Sequence, residues 1–380
     1  MVYLDNAATT FPKPEVVYRA VYRFMTEKAA NPGRSGHGLS MEAAREVYMC
    51  REAAAELFNA PGPECVAFTL NATHAINIAL KGSVKSGHVV TSGLEHNAVM
   101  RPLAKLAQSG VRYDVAQVDF HDDCVTAANF ERLIKPETVM VVCTHASNLC
   151  GRVLPLKMLG EMCKSHGIVF LVDASQTAGL LPIDMKDMNI DFLCMPGHKG
   201  LYGPMGTGML IAARGEELDT LIEGGTGSNS SLLEQPDFMP DRLESGTVNA
   251  PGIAGLGAGI GFIASSSVEA LYKKEMLLAQ LLYDRLVDIK NIKLYTPRPG
   301  AGYVPVVAFN IGALSSVEAV SRLDRAGLAL RGGLHCTPMA HTFFGTLDQG
   351  MIRASIGAFN TADDIYHLAA EVKKISGDKL

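Results

Sequence analysis

The chain has 380 residues, of which 48% are hydrophobic and 19% charged, so its composition is globular and excludes general disorder. Its net charge of −5 provides no basic field to attract a nucleic acid. No apolar run reaches the ~18 residues of a membrane-spanning helix, and residues 1–6 do not resemble a signal peptide. We therefore expect a cytoplasmic protein without a nucleic-acid or membrane partner.

Helix and strand patterns alternate from the start of the chain. Apolar residues between 17 and 24 recur at helical spacing after Pro14. A second helix is predicted from its cap at Ser40 to about Phe58, and a third begins near His74. Short apolar runs then recur with helical patterns between them, at Val89–Val90, Val139–Cys143, Ile168–Val172, Phe192–Met195 and Met209–Ala212.

These apolar runs are nearly continuous rather than alternating. Continuous runs are typical of strands buried on both faces, as in a parallel sheet covered by helices. The alternation of such strands with helices predicts an α/β fold of the doubly wound type.

The second half of the chain changes character. The polar, glycine-rich residues 224–231 predict a mobile loop, whereas the more apolar residues 252–261 are expected to pack closely as a helix. A long helix is predicted from Val268 to about Ile289. Strand patterns at Val304–Ile311 and Met351–Ser355 indicate a smaller α/β unit at the C-terminal end.

These patterns divide the chain into two predicted domains. The large domain spans residues 13–258 and contains the mostly parallel sheet. The small domain combines residues 1–12 with residues 259–380.

The eight cysteines contain no C-x-x-C pair, which excludes zinc-ribbon and thioredoxin-type sites, and no metal site is predicted. Most of them lie in apolar stretches, as Cys143 and Cys194 do, where a free cysteine packs as a small hydrophobe. This usage suits a reducing cytosol. Cys336 is the exception, because it lies among loop-forming residues.

Three segments together predict a cofactor site. Asp173 ends an apolar strand, and Lys199 follows the next strand between two glycines, so both are expected at one edge of the sheet. A partly desolvated lysine can bind an aldehyde covalently, and an aspartate can pair with a pyridinium nitrogen. Thr73 lies where a helix begins, which favours a phosphate, although a simple capping role is the alternative. The ordered set is the pattern of a pyridoxal phosphate enzyme.

The chain resembles the cysteine desulfurases of the class V aminotransferase family, within the fold-type I pyridoxal phosphate enzymes. The motifs that carry the resemblance span nearly the whole chain in the family's order: Tyr3–Thr10, Asn71–Thr73, Glu95–Ala98, Ser147–Asn148, Asp173–Gln176, Gly197–Lys199, Leu201–Pro204, Glu244–Thr247, Arg331–Cys336 and Ile352–Ser355.

The resemblance implies roles around the cofactor ring. Lys199 would hold the cofactor and later move protons. Asp173 would keep the pyridine nitrogen protonated, and Gln176 would bond the ring's phenolic oxygen. His96 would stack on the ring and serve in acid–base steps.

The resemblance also implies the contacts at either end of the site. Ala72, Thr73 and His198 would hold the phosphate, with Thr247 of the partner subunit completing it in a homodimer. Asn148 and Arg353 would bind the substrate carboxylate, with Arg331 in the same substrate-binding group, because a guanidinium matches two oxygens.

Cys336 determines the reaction that the resemblance implies. The neighbouring His335 and Arg331 are expected to favour its thiolate. Cys336 would then attack the substrate sulfur, keep it as a persulfide and leave alanine. The short segment around it is closest to the group containing SUF-type desulfurases and selenocysteine lyases. Taken without the family, an incidental loop cysteine is an equal alternative.

Two positions depart from the family's pattern. Pro196 stands where many relatives have a serine that binds phosphate, so a neighbouring group or a water must make that contact. Gly200 resembles an insertion after Lys199 that alters the following turn. Neither change removes a group that the chemistry needs.

Three further residues lie near the predicted site. His37 either lines the substrate entrance of the partner subunit or is a surface histidine. Cys150 is interpreted as a packing residue, and His341 as a structural residue or an acceptor contact.

The sequence thus predicts a pyridoxal phosphate-dependent cysteine desulfurase that passes sulfur to an acceptor protein, with iron–sulfur cluster assembly as one pathway. A selenocysteine lyase is the first alternative, because both reactions would use the same residues. Another class V aminotransferase or β-lyase, and a non-catalytic protein of this fold, are further alternatives.

Overall fold

The structure is a computed structural model that describes residues 1–33 and 35–377. Arg34 of the predicted large domain and residues 378–380 of the predicted small domain lie outside the described residues.

The helices follow the predicted order closely. They are α1 Glu15–Glu27, α2 Gly38–Leu57, α3 Ala72–Ser83, α4 Asn97–Ala107, α5 Asp123–Glu131, α6 Leu156–His166, α7 Ala250–Ser266, α8 Val268–Leu286, α9 Ser316–Arg325, α10 Pro338–Phe344 and α11 Ala362–Ser376.

The strands alternate with these helices. They are β1 Val2–Tyr3, β2 Val66–Thr69, β3 His88–Ser92, β4 Arg112–Ala116, β5 Thr138–Thr144, β6 Val169–Asp173, β7 Phe192–Pro196, β8 Gly208–Ala212, β9 Ile292–Leu294, β10 Val306–Ile311, β11 Leu328–Ala329 and β12 Ile352–Ser355.

Within the described residues, seven strands form the central sheet in the order β2-β8-β7-β6-β5-β3-β4. The predicted α/β fold of the fold-type I class, with its mostly parallel sheet, is confirmed. Strand β8 runs antiparallel to both neighbours, because the connection from β7 is a loop without the helix that a parallel crossover needs. The other strands share one direction, so their carboxyl ends meet at one edge.

Helices bury both faces of the central sheet, which explains the continuous apolar runs. In β5, Val141 and Cys143 pack in one core and Met140 and Val142 in the other.

A separate core lies under the C-terminal sheet. Strands β9, β10 and β12 form this sheet, and β1 pairs in parallel with β11. Leu4 packs with apolar residues of α8, α9 and α11 in this core, so the N-terminal segment joins C-terminal elements. The predicted domain boundary between residues 258 and 259 lies inside α7.

The glycine-rich helix α7 packs tightly, as predicted. A Cβ on Gly259 would lie 2.2 Å from the Leu201 carbonyl oxygen, so only glycine permits this approach. In contrast, residues 224–231 form neither helix nor strand.

The predicted cap of α2 is wrong by three residues. The helix begins at Gly38, and the His37 ring accepts a hydrogen bond from the Ser40 amide at 3.2 Å. Ser40 is therefore inside the first turn, where its hydroxyl donates to the Asn31 carbonyl instead.

Over residues 1–33 and 35–377, no single helix has the length and apolar character to span a membrane. Only α7 and α8 taken together meet those criteria, and they are bent by 82° at their junction.

Candidate active site

A cavity opens at the carboxyl ends of β6 and β7, where polar side chains from both ends of the chain converge. Its polar lining includes ten of the residues predicted for the site: Ala72 (through its backbone), Thr73, His96, Asn148, Asp173, Gln176, His198, Lys199, Arg331 and Arg353. The structure places Cys336 beside this cavity and Thr247 away from it.

Asp173 and Lys199 meet because β6 and β7 are neighbouring parallel strands with Asp173 opposite Cys194. Asp173 is 2% exposed, and its Oδ1 accepts bonds from the amide and hydroxyl of Ser175. Burial lowers the pKa of Lys199 to about 8, with Asp173 opposing that shift. The lysine is therefore easier to deprotonate than an ordinary one, which a nucleophilic amine requires.

The loop that carries Lys199 is held by the N-terminal segment. The His198 carbonyl accepts bonds from the Thr9 hydroxyl at 3.0 Å, the Thr10 amide at 3.2 Å and Lys13 Nζ at 2.6 Å. Burial lowers the pKa of Lys13 to about 8. Sequence reasoning missed Lys13, since a lysine between two prolines carries no motif of its own.

His96 caps α4, with its Nδ1 accepting a bond from the Ala98 amide at 3.0 Å. Burial lowers the pKa of His96, and the charges of Lys199, Arg331 and Arg101 lower it further, while Asp173 opposes them. A neutral ring with one nitrogen already fixed is suited to stacking and to proton transfer through Nε2.

The N-terminus of α3 forms one end of the cavity. Asn71 is the cap, and its side chain accepts a bond from the His74 amide at 2.9 Å. The capping alternative for Thr73 is therefore wrong. Among the described residues the Thr73 hydroxyl has no hydrogen-bond partner, which leaves it available to an anion at this helix end.

At the opposite end, Arg353 is fully buried and fixed by three segments. Its Nη2 lies 2.6 Å from Asp5 Oδ1, and its Nη1 donates to the Asn148 carbonyl at 2.8 Å. The Asn148 amide in turn donates to the His335 carbonyl at 2.8 Å. Burial lowers the pKa of Arg353, and Asp5 counteracts that shift. Asp5 was missed as an individual residue, although it lies within the N-terminal motif.

Arg331 brings a second guanidinium to this end. The backbone amide of each of Arg331 and Arg353 donates a hydrogen bond to the backbone carbonyl of the other. Their side chains therefore start from adjacent backbone positions. Two cations in one partly buried place favour an anionic ligand such as a carboxylate.

Cys336 is exposed and lies in a bent loop. Its φ is +58° and that of His335 is +52°, values in the left-handed region. The Asn97 amide donates to the Cys336 carbonyl at 2.8 Å, which attaches the loop to the start of α4. Arg331 Nη2 lies 3.9 Å from Cys336 Sγ.

The expectation that His335 favours the thiolate is wrong. The His335 ring is buried against His341, with ring centroids 6.0 Å apart, and burial lowers its pKa to about 2. It stays neutral, so Arg331 is the cation that can attract a Cys336 thiolate.

Other predicted residues take structural positions. Cys150 and His341 are fully buried, and the His341 Nδ1 contacts the Thr346 hydroxyl at 2.8 Å. The alternative that His341 contacts the sulfur acceptor is therefore wrong. His37 is an exposed helix cap. Thr247 is exposed and lies 3.5 Å from Asn31.

Glu95 is a buried residue whose role was not predicted. Its Oε1 accepts a bond from the Thr144 amide at 2.9 Å and another from Ser92, whereas its buried Oε2 has no partner among the described residues. Burial raises the pKa of Glu95 to about 8. Its sequence signal was its place directly before His96.

The chain is similar to known proteins over nearly its full length. Residues 2–368 match the family Aminotransferase class-V. A probable cysteine desulfurase of Methanothermobacter thermautotrophicus is 34% identical, over 99% of this chain and 95% of that protein. A cysteine desulfurase of Yersinia pseudotuberculosis is 31% identical, over 99% of this chain and 93% of its own.

Solved structures agree with these relatives. The apo structure of a cysteine desulfurase from Thermococcus onnurineus matches with a TM-score of 0.91 and 27% identity, over 100% of this chain and 95% of that one. The cysteine desulfurase CsdA from Escherichia coli matches with a TM-score of 0.87 and 27% identity, over 98% and 94%.

The chain therefore belongs to the class-V aminotransferase family of pyridoxal phosphate-dependent enzymes. Its curated relatives within that family are cysteine desulfurases.

The cavity has the features that pyridoxal phosphate needs. Asp173 Oδ2 has no partner among the described residues, so it is available to a pyridinium nitrogen. At the phosphate end, the free Thr73 hydroxyl adjoins the α3 N-terminus. The buried His198 Nδ1 also has no partner in the described chain. Pro196 also lines the cavity, two residues before His198, so His198 is the neighbouring group suited to the contact that proline cannot make.

Proposed function

We propose that this protein is a pyridoxal phosphate-dependent cysteine desulfurase that converts L-cysteine to L-alanine and holds the sulfur as a persulfide on Cys336. The observation that carries the proposal is the placement of an exposed cysteine, with a guanidinium 3.9 Å away, beside the cavity that contains Lys199 and Asp173. A transaminase needs the cavity but not the cysteine.

Pyridoxal phosphate, when bound, supplies an electron sink for the substrate Cα. Lys199 would hold its aldehyde carbon, and Asp173 would keep the proton on its pyridine nitrogen. Gln176, which donates to the Ala7 carbonyl at 3.1 Å, would bond the phenolic oxygen. His96 would stack on the ring. Ala72, Thr73 and His198 would bind the phosphate.

The substrate is oriented by its carboxylate. Arg353 and Asn148 would bind it, and Arg331 lines the same cavity with its Nη2 3.9 Å from Cys336 Sγ. Lys199 would move the proton at Cα, because its lowered pKa lets it accept and return a proton near neutral pH.

Sulfur transfer involves one bond broken and one formed. The Cys336 thiolate attacks the substrate sulfur, the substrate Cβ–S bond breaks, and an S–S bond forms on Cys336. The Cβ carbon takes up a proton, so cysteine and the enzyme thiol become alanine and the enzyme persulfide. The outer sulfur of the persulfide then passes to an acceptor protein. We propose iron–sulfur cluster assembly in the cytoplasm as the pathway that uses it.

We propose further that the active form is a homodimer in which Thr247 of the partner subunit reaches the phosphate. Thr247 lies outside the cavity of its own subunit and is exposed, and Leu221 and Ile222 line the adjoining cavity with it. Exposed apolar residues around it suit an interface between copies.

The test starts from the purified holoprotein. We expect an absorbance band near about 420 nm, alanine formation from L-cysteine, and a gain of one sulfur atom on Cys336 by mass spectrometry. Cys336→Ala should abolish sulfur transfer, while Cys124→Ala, which removes another exposed cysteine, should leave it unchanged.

Each failure has a distinct meaning. Alanine formation that survives in Cys336→Ala, with sulfur still delivered, contradicts the persulfide role. Alanine formed only from selenocysteine supports the lyase alternative, and pyruvate or a keto acid supports another β-lyase or an aminotransferase. A protein that does not bind pyridoxal phosphate contradicts the whole proposal.

A further inference from the structure

A surface groove continues outward from Cys336 between helices α3 and α4. We call it the Cys336 groove and define it by the residues that line it: Thr73, Asn77, Lys81, His96, Asn97, Ala98, Arg101, Pro102, Lys105 and Cys336. Thr73 and His96 also line the cofactor cavity, so the groove connects that cavity to the surface.

The Cys336 groove is positively charged in an acidic protein. Lys81, Arg101 and Lys105 line it, whereas no aspartate or glutamate does, although the chain has a net charge of −5. None of these three cations forms an ion pair with a carboxylate in the described chain. Elsewhere on the surface, Arg19 and Arg322 each pair with a glutamate one helical turn away.

The charges of the Cys336 groove are only partly explained by helix stability. Lys81 and Lys105 lie in the last turns of α3 and α4, where a cation interacts favourably with the helix dipole. Arg101 has no such place, and it is four residues from Lys105, a spacing at which like charges repel. Arg101 and Lys105 are both exposed, and Lys105 contacts the Gln108 amide oxygen at 3.1 Å. Cations without carboxylate partners leave this surface available to an anionic ligand.

The groove is fixed in position relative to Cys336. The Asn97 amide binds the Cys336 carbonyl, and Lys105 is eight residues further along the same helix, ~12 Å away at the ~1.5 Å rise per residue of a helix. An extended segment of about four residues covers that distance. A nucleophile at one end of such a segment would lie at Cys336 while its carboxylates lie over the basic residues.

We propose that the Cys336 groove docks an acidic segment of the protein that accepts the sulfur; this rests on the desulfurase function proposed above. The acceptor's cysteine thiolate attacks the outer sulfur of the Cys336 persulfide. The S–S bond to Cys336 breaks, an S–S bond to the acceptor forms, and Cys336 leaves as a thiolate. No further oxidant or reductant is required.

A protein segment fits the groove better than a nucleic acid does. Besides its three cations the groove is lined by the amides of Asn77 and Asn97 and by the apolar Ala98 and Pro102, a mixed lining that suits a peptide, whereas a phosphate backbone favours a continuous basic track. The overall negative charge also opposes binding of a long polyanion.

The test uses the holoprotein carrying its Cys336 persulfide and synthetic peptides with one cysteine each, flanked by aspartates, by serines or by lysines. Sulfur transfer to each peptide is measured by mass spectrometry at low salt and at about 0.5 M salt. Lys81→Glu combined with Lys105→Glu reverses the groove's charge and leaves Arg101, whose charge acts on His96, in place.

A matched control carries the same change in charge elsewhere. Lys164 and Lys273 are exposed on α6 and α8, outside the groove, so Lys164→Glu combined with Lys273→Glu serves for comparison. Alanine formation from L-cysteine with a small thiol as acceptor should be the same in both variants and the parent, because neither pair touches the cavity.

We expect the aspartate peptide to accept sulfur about tenfold faster than the serine peptide at low salt, with the advantage lost at high salt. The groove variant should lose that advantage and the control should retain it. Equal transfer to all three peptides contradicts the proposal while leaving the desulfurase function intact, whereas absent alanine or persulfide contradicts the function itself. A single-stranded RNA oligonucleotide is added to the same transfer reaction as a competitor. If the RNA inhibits sulfur transfer and the aspartate peptide at the same concentration does not displace it, the groove is an RNA surface and the proposal is overturned.

Discussion

The floor of the active-site cavity and its rim place charge in opposite environments. On the floor, Asp173 and Arg353 are almost fully buried and fixed by hydrogen bonds: Asp173 accepts two from Ser175, and Arg353 is bonded to Asp5 and Asn148. On the rim, Cys336 and Arg101 are exposed to solvent. Floor charges therefore act at low dielectric, where removal of one costs much, whereas rim charges are screened by water and salt. Chemistry at Cα belongs to the floor, and exchange of sulfur with other molecules belongs to the rim.

The largest effect should follow a change on the floor. Lys199→Ala removes the amine that binds the cofactor and moves the Cα proton, so alanine formation should fall by about 10⁴-fold or more. Lys157→Ala, which removes an exposed lysine paired with Asp187, is the control and should be fully active. In the unaltered apoprotein, capture of pyridoxal phosphate should increase as the pH rises through about 8, because the Lys199 amine must lose its proton. A pH-independent capture rate would contradict this account.

The carboxylate end offers a smaller but sharper test. Arg353→Lys keeps the charge but loses the planar fork, so the KM for L-cysteine should rise about 10- to 100-fold with a smaller change in kcat. Arg152→Lys changes another buried arginine, which pairs with Asp123 outside the site, and should affect the melting temperature without raising KM. A similar KM in both variants would show that Arg353 is only structural.

Glu95 tests the low dielectric of the floor through stability. Between about pH 4.5 and about pH 8 the unfolded chain loses the Glu95 proton that the folded chain keeps, so stability falls as pH rises through this window. Glu95→Gln removes this titration. The melting temperature of the variant minus that of the parent should therefore increase by ~3 °C when the pH is raised from about 5 to about 8. The exposed Glu42→Gln should track the parent at every pH. If the difference in melting temperature between Glu95→Gln and the parent does not change with pH, this carboxyl is ionised in the folded protein.

The smallest effect belongs to the rim. Arg331→Gln should slow alkylation of Cys336 by iodoacetamide about twofold at low salt, because the guanidinium attracts the reactive thiolate, with no difference in about 0.5 M salt. Cys124, exposed on α5, is the internal control within the same sample. A salt-independent or much larger effect would place Arg331 with the floor and remove the contrast between the two regions.

The sequence predicted those parts of the site that depend on one element at a time. The strand end at Asp173, the loop at Lys199 and the helix start at Ala72 each follow from a local pattern, and the order of strands brings them together. The family resemblance assigned Arg353 its role, but only the structure shows its pairing with Asp5.

What sequence reasoning could not predict depends on contacts between distant segments and on burial. The bond from Lys13 to the His198 carbonyl joins residues that are 185 positions apart, and no periodicity encodes it. The neutral state of His335 follows from its burial, whereas its sequence position beside Cys336 suggested a charged partner. The antiparallel β8 depends on a loop whose path the apolar pattern of the strand does not reveal.

The N-terminal segment has a consequence for the way this enzyme is made. Asp5 pairs with Arg353, and β1 lies beside β11, so these residues find their partners only after more than three hundred later residues have been translated. The large sheet can form before then, because its strands lie between residues 66 and 212. A nascent chain can thus assemble the sheet that carries Asp173 before Arg353 is available. The substrate site becomes complete only after Arg353 has been translated, which withholds reactive sulfur chemistry from shorter nascent chains.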